Sequence, residues 1–476
     1  MGNPGVLVYG QTEILGPSIP PPRRRRTVTI VVGVVLSMLL AGTAIAGAFV
    51  WYGWGTTEPE DVLPGSSMSF ARVDLSPGLG QQLAIGNIIK KFPQQQTGQD
   101  AVNTFKQRLV EEMLPPLKFD TRIKPWLGDR MGLSLWSPAG QSTRCTLVAL
   151  ASSDDDKAKS ALQQVTIANL SFAFSKGYAI LATCPGQSGT TADDAVAAAE
   201  SESLSQRAAF ADALGNLPSG QAILAWMNGS AVASGVNAFG NGRVTVPIDT
   251  ALAGTTVLAG VKATGDGLEL RARVHGAAGS EPVTADALSP LGQLPGGTVV
   301  GVSADLRAAK GLGDSLSTGL NNLPSDLGGG KVDVARITRA LLGSVLSLSI
   351  VNPADPQLKV FIEAADSGSA RDIANVLQAN LSPSDPVNVT GDTVSVTTTK
   401  YQGGSGSLAD DALYRSAMDD PPDNVVVAAY ANVSRLTSAM KLSDEAAANI
   451  KPVKAFGMSM GVDQGSAELL IRVIVQ

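Results

Sequence analysis

Histidine and cysteine are almost absent: one His, His275, and two Cys, Cys145 and Cys184, serve 476 residues. That scarcity excludes His/Cys zinc sites, iron–sulfur clusters and nearly every Ser-His-Asp or Cys-His mechanism. Charge is sparse as well, at 16%, and aromatics make up 5%. Hydrophobic residues reach 44%, so the chain is not broadly disordered and most of it can fold around a core. A net charge of −6 and a pI near 5.1 argue against a nucleic-acid binder, which needs clustered Lys and Arg. At ~100–200 residues per domain the length allows two to four domains.

Motifs that carry chemistry are missing too. Leu327-Gly328-Gly329-Gly330-Lys331 is Gly-rich, but it has no Lys-Ser/Thr and no preceding strand, so it is not a phosphate loop. Neither G-x-S-x-G nor H-E-x-x-H occurs. Ser152-Ser153-Asp154-Asp155-Asp156 lacks the alternating oxygens, bend Gly and later Glu of a calcium loop and reads as a helix cap. The acidic pairs Asp193-Asp194, Asp410-Asp411 and Asp419-Asp420 are adjacent in sequence, whereas a glycosidase pair comes from separate elements. His275 reads as a strand-end surface residue. The expectation is a non-enzyme with no catalytic, cofactor-binding or metal-binding residues.

What the chain does contain begins with a topology signal. Arg23, Arg24, Arg25 and Arg26 precede an uncharged run, VTIVVGVVLSMLLAGTAIAGAFVW from Val28, long enough to span a ~30 Å hydrocarbon core. Positive charge stays inside, so residues 1–26 read as a Pro-rich disordered cytoplasmic tail. Residues 27–54 read as a transmembrane helix, with Trp51, Tyr52 and Trp54 at the outer interface. The rival reading is a signal peptide cleaved near Ala44–Ala48. Four Arg against Glu13 give the tail +3 and leave −9 for the rest of the chain.

Both cysteines follow the anchor, where disulfides persist. Cys145 opens the apolar run CTLVALA and Cys184 closes YAILATC. A bridge between them is geometrically reasonable and would be worth roughly 4 kcal/mol. Two buried thiols or a redox pair are the other readings.

Self-similarity is the strongest signal. LPG-SSMSFARV-DL from Leu63 matches LPG-GTVVGVSA-DL from Leu294, and LGDRMGLSL from Leu127 matches LGSVLSLSI from Leu342. SESLSQRAAFADAL from Ser201 matches SGSLADDALYRSAM from Ser405, and ELRARV from Glu269 matches ELLIRV from Glu468. Residues 58–277 and 294–476 therefore read as homologous halves joined by a linker, 278–293. Pro64, Pro218, Pro295 and Pro422 each start a strand; ten residues on stand Asp74, Asn228, Asp305 and Asn432, read as N-caps of the following helices. Period-two segments separated by helical stretches predict an α+β fold: one transmembrane helix, then two halves, each an antiparallel sheet with helices packed on one face.

The Arg cluster, the single anchor, VLPGSSMSFARVDLSPGLGQQLAIGNIIKKFP and LGDRMGLSLW together resemble the actinobacterial membrane proteins of the domain of unknown function 3352 family. The resemblance implies a single-pass cell-envelope protein with an extracytoplasmic C-terminal domain, and it supplies no catalytic residues. Two functions follow as expectations. The first is a protein-binding or scaffolding ectodomain. The second is a membrane-anchored binder of a lipid or other hydrophobic ligand between the halves.

Overall fold

In the computed structural model, period-two patterning becomes sixteen strands. The structure describes residues 57–74, 78–92, 107, 119–141, 143–165, 169–185, 191–231, 254–276, 284–307, 341–352, 357–380, 385–398, 401–438, 443–463 and 465–476. All of these fall in one compact unit, Ala46–Gln476.

The first eight strands are β1 (Ser69–Asp74), β2 (Leu127–Trp136), β3 (Cys145–Ser152), β4 (Leu170–Ser175), β5 (Tyr178–Thr183), β6 (Ile223–Asn228), β7 (Thr256–Ala263) and β8 (Gly267–His275). The second eight are β9 (Val300–Asp305), β10 (Val345–Ile350), β11 (Leu358–Glu363), β12 (Val387–Thr390), β13 (Thr393–Thr397), β14 (Val425–Asn432), β15 (Val453–Asp463) and β16 (Ser466–Val475). Helices lie between them: α1 (Leu79–Ile89), α2 (Asp155–Leu162), α3 (Thr191–Ser201), α4 (Ala208–Gly215), α5 (Leu288–Gly292), α6 (Ser367–Asn380), α7 (Ala412–Ala417), α8 (Val433–Ser438) and α9 (Asp444–Ile450).

All sixteen strands form one antiparallel sheet, ordered β12-β13-β11-β10-β9-β14-β15-β16-β8-β7-β6-β1-β2-β3-β5-β4. Read outward from the centre, β16-15-14-9-10-11-13-12 and β8-7-6-1-2-3-5-4 are the same order. The expectation of two separate sheets is corrected here. β8 and β16, the last strands of the halves, pair over nine positions from Ser466↔His275 to Ile474↔Gly267. Alone, each half would end on a long open edge, and an unpaired row of N–H and C=O groups seeks a partner. Helices also pack on both faces, not one. Of the predicted anchor, among the described residues no helix is long and apolar enough to cross a membrane. The run 27–54 and Arg23–Arg26 lie outside the described residues.

Local chemistry explains the connections. β4 and β5 turn through Lys176 and Gly177, both at positive φ (47° and 80°), as a two-residue hairpin requires. β7 and β8 turn at Gly265-Asp266, closed by the Thr264 N–H on the Gly267 carbonyl at 2.8 Å.

One face of the sheet, the first face, carries the main cores. In the first half Phe70, Leu147, Ile180, Leu224 and Trp226 pack beneath α3 and α4. Phe210 of α4 meets Trp226 edge-on at 5.7 Å. In the second half Tyr414 of α7 meets Tyr430 of β14 edge-on at 5.3 Å. The Ser203 and Ser407 segments correspond in the same way. Each bridges the strand-entry Pro, Pro64 or Pro295, and each is held by a capping box, with Gln206 and Asp410 respectively. Residues 286–293, part of the expected linker, carry α5, which packs on β9 and β14; Leu291 is fully buried there.

Candidate functional site

The opposite, second face follows from register. Side chains alternate across a strand, so each paired row shares one face. Through the centre these rows read Val261, Ala259 and Val257 on β7; Leu268, Leu270, Ala272 and Val274 on β8; Val473, Ile471, Leu469 and Ala467 on β16; and Phe456, Met458, Met460 and Val462 on β15. They continue as Val427, Ala429 and Ala431 on β14 and Val300, Val302 and Ala304 on β9. On the other side they continue through β6 to Ala71 and Val73 on β1 and Leu133 and Leu135 on β2.

This is a contiguous apolar surface with no charge in these rows. At one flank α6 covers it: Ile373 and Ala374 pack on Ile362 and Val394. Toward the centre Leu469, Val473, Met458, Met460, Val427 and Val302 are partly exposed and Leu135 reaches 40%, whereas Leu268, Leu270 and Ile471 of the same rows are buried and α1 packs on β7. An antiparallel sheet with a solvated face ordinarily makes that face polar.

On the first face the seam is instead ionic. Glu269 stands opposite Arg472 and Arg273 opposite Glu468, so the repeated Glu-x-x-x-Arg of β8 and β16 interlocks head to tail. Arg271 bonds Glu468 at 2.7 Å and Asp420 at 2.6 Å; Arg273 also pairs with Glu468; Lys262 reaches Glu269 at 3.0 Å; Arg472 reaches Asp419 at 3.0 Å. Glu269, Arg271, Glu468 and Arg472 are all buried. Buried charges survive only when paired, so this network fixes register between the halves. Sequence reasoning matched ELRARV with ELLIRV but missed that the two would pair with each other. The signal was the same Glu-x-x-x-Arg order on both strands, which an antiparallel pairing turns into opposite charges facing each other.

The predicted caps have separate places. The Asn228 Oδ1 accepts from the Ala231 N–H at 3.0 Å, and the Asn432 Oδ1 accepts from the Arg435 N–H at 3.0 Å, where α8 begins. Asp305 is buried and accepts from the Asp286 N–H at 2.9 Å and from Arg307 at 2.6 and 2.9 Å. Burial raises its pKa, but these donors outweigh that and hold it below the usual range. Asp74 ends β1 opposite Arg130. The structure does not gather these four into one site; each lies on its own strand. Cys145 and Cys184 form a disulfide, Cα–Cα 4.4 Å, across neighbouring strands β3 and β5. The acidic pairs are accounted for individually. Asp193 and Asp194 sit in the first turn of α3, Asp410 closes a capping box, Asp411 caps α7, and Asp419 and Asp420 join the seam. His275 is exposed at the end of β8. Among the described residues no group of three or more His, Cys, Asp or Glu is placed to hold a metal.

One buried carboxylate stands apart. Glu60 is 2% exposed and pairs with Arg72, while its Oε2 has no hydrogen-bond partner. Burial pushes its pKa up to about 7, against the opposing pull of Arg72. Glu58 bridges the same Arg72 and Arg130, and the Tyr178 hydroxyl donates to the Thr57 carbonyl at 3.0 Å. This cluster fastens the first described residues to β1, β2 and β5.

No family model matches the chain, and no curated protein matches it. Among solved structures, one reported as crystal form I of TP0453 is similar at 7% identity with a TM-score of 0.23, covering 72% of this chain and 93% of that one.

Proposed function

We propose that this protein is a non-enzymatic ectodomain of the cell envelope that works by binding, most simply as a docking or scaffolding surface for another envelope protein. The observation that carries the reading is the apolar second face, where Leu469, Val473, Met458, Met460, Val427 and Val302 are partly exposed beside the buried Leu268, Leu270 and Ile471. Apolar side chains left partly exposed on one contiguous face mark an interaction surface. The disulfide is consistent with work outside the cytoplasm, where such bonds persist. The family resemblance belongs to the same proposal.

A hydrophobic ligand is the second reading, and one observation favours it. The central rows are aliphatic and Met, with Phe456 the one aromatic among those named and no Trp, Tyr or Arg, the residues that anchor protein interfaces. The test is native mass spectrometry of the full-length protein, gently extracted from its own membrane, beside a Met458→Asp/Leu469→Asp variant. A stoichiometric protein partner lost in the variant supports scaffolding. A lipid-sized excess lost in the variant supports the second reading. A bare chain in both refutes binding through this face.

A further inference from the structure

The two halves diverge where register makes them directly comparable. In the first half α3 lies over β4 and β5, and beneath it the first face holds Leu147, Ala149, Ile180 and Ala182. The same register positions in the second half hold Lys359, Phe361, Ser395 and Thr397. The connection that carries α3 runs from Thr183 to Leu204. Its counterpart, Thr397 to Leu408, is shorter and has no helix among the described residues. Where α3 would lie, the apolar floor has become polar.

Beside that floor is a cavity of about 350 Å³ bounded by Asp286, Arg307, Ser347, Phe361, Glu363 and Thr393. Its parts are oriented by the fold. Arg307 is clamped by the buried Asp305, which presents its guanidinium in a fixed pose. Phe361 is partly exposed, with the Lys359 ammonium 4.5 Å from its ring centroid. Asp286 and Glu363 are exposed carboxylates. Arg307 is already neutralised by Asp305, so the remaining rim is acidic and disfavours phosphate or carboxylate ligands. What it offers is the partly exposed Phe361 ring for C–H stacking, two carboxylates that accept from hydroxyls, and the fixed Arg307 cation, which donates.

We propose that this cavity binds a neutral sugar, one or two units of a glycan. The proposal is independent of the apolar face, which lies on the other side of the sheet. The experiment is saturation-transfer-difference NMR on the full-length protein with glucose, galactose, mannose, arabinose and their disaccharides. Saturable binding is expected for at least one, weakened at least about tenfold in both Phe361→Ala and Glu363→Gln and retained in Leu469→Asp. Glu363 is exposed, so Glu363→Gln keeps the fold and reads the site even if Phe361→Ala does not. No binding by any sugar overturns the proposal. So does binding that Glu363→Gln leaves unchanged, or binding of a simple alkylammonium in preference to every sugar.

Discussion

Stability should fall as pH rises through the neutral range, and Glu60 should be the cause. Its carboxyl is buried against Arg72, with one oxygen lacking a hydrogen-bond partner. Its pKa is raised from 4.5 to about 7 because burial penalises the charge more than Arg72 compensates. A group whose folded pKa lies above its unfolded value makes the folded state bind the extra proton between those two values. Stability is therefore unaffected below pH 4.5 and declines as pH climbs through 7. At 1.36 kcal/mol per unit, the full loss is about 3 kcal/mol. Glu60→Gln removes the titration while keeping shape and a hydrogen-bond acceptor for Arg72. Urea unfolding of both proteins at half-unit steps from pH 4.5 to 8 gives the difference curve, in which other titrating groups largely cancel. The wild type should lose about 3 kcal/mol relative to Glu60→Gln across that span. A flat difference curve would refute the reasoning: Arg72 would then fully compensate burial.

Three further outcomes are expected. Replacing Cys145 and Cys184 with Ser should cost roughly 4 kcal/mol, since the bridge closes a 39-residue separation; an unchanged urea midpoint counts against it. At the seam, Glu468→Ala leaves Arg271 and Arg273 short of a buried partner and should cost roughly 3–5 kcal/mol, whereas Asp420→Ala, on a 69% exposed partner, should cost under ~1 kcal/mol. Equal thermal shifts for the two would remove the register role from the network. If the folded part lies outside the cytoplasm, a Cys introduced at exposed Asp372 should react with an impermeant maleimide on intact cells; protection until lysis would reverse the topology.

Local chemistry was legible because it needs only neighbours. The β3–β5 disulfide and the correspondence of Leu63-Pro64 with Leu294-Pro295 both rest on residue type and spacing. Period two likewise marks which residues of ELRARV share a face. Spacing says nothing about where a strand's outer edge goes. Whether β8 meets β16 or water depends on backbone groups every strand possesses, so two sheets and one sheet share one pattern. The join is decided by geometry that places Glu269 against Arg472 and Arg273 against Glu468 at once. For the same reason the Lys359–Phe361 floor was invisible. Its polarity acquires meaning only beside the Leu147–Ala149 floor that α3 covers, a comparison that exists once the strands are aligned in space.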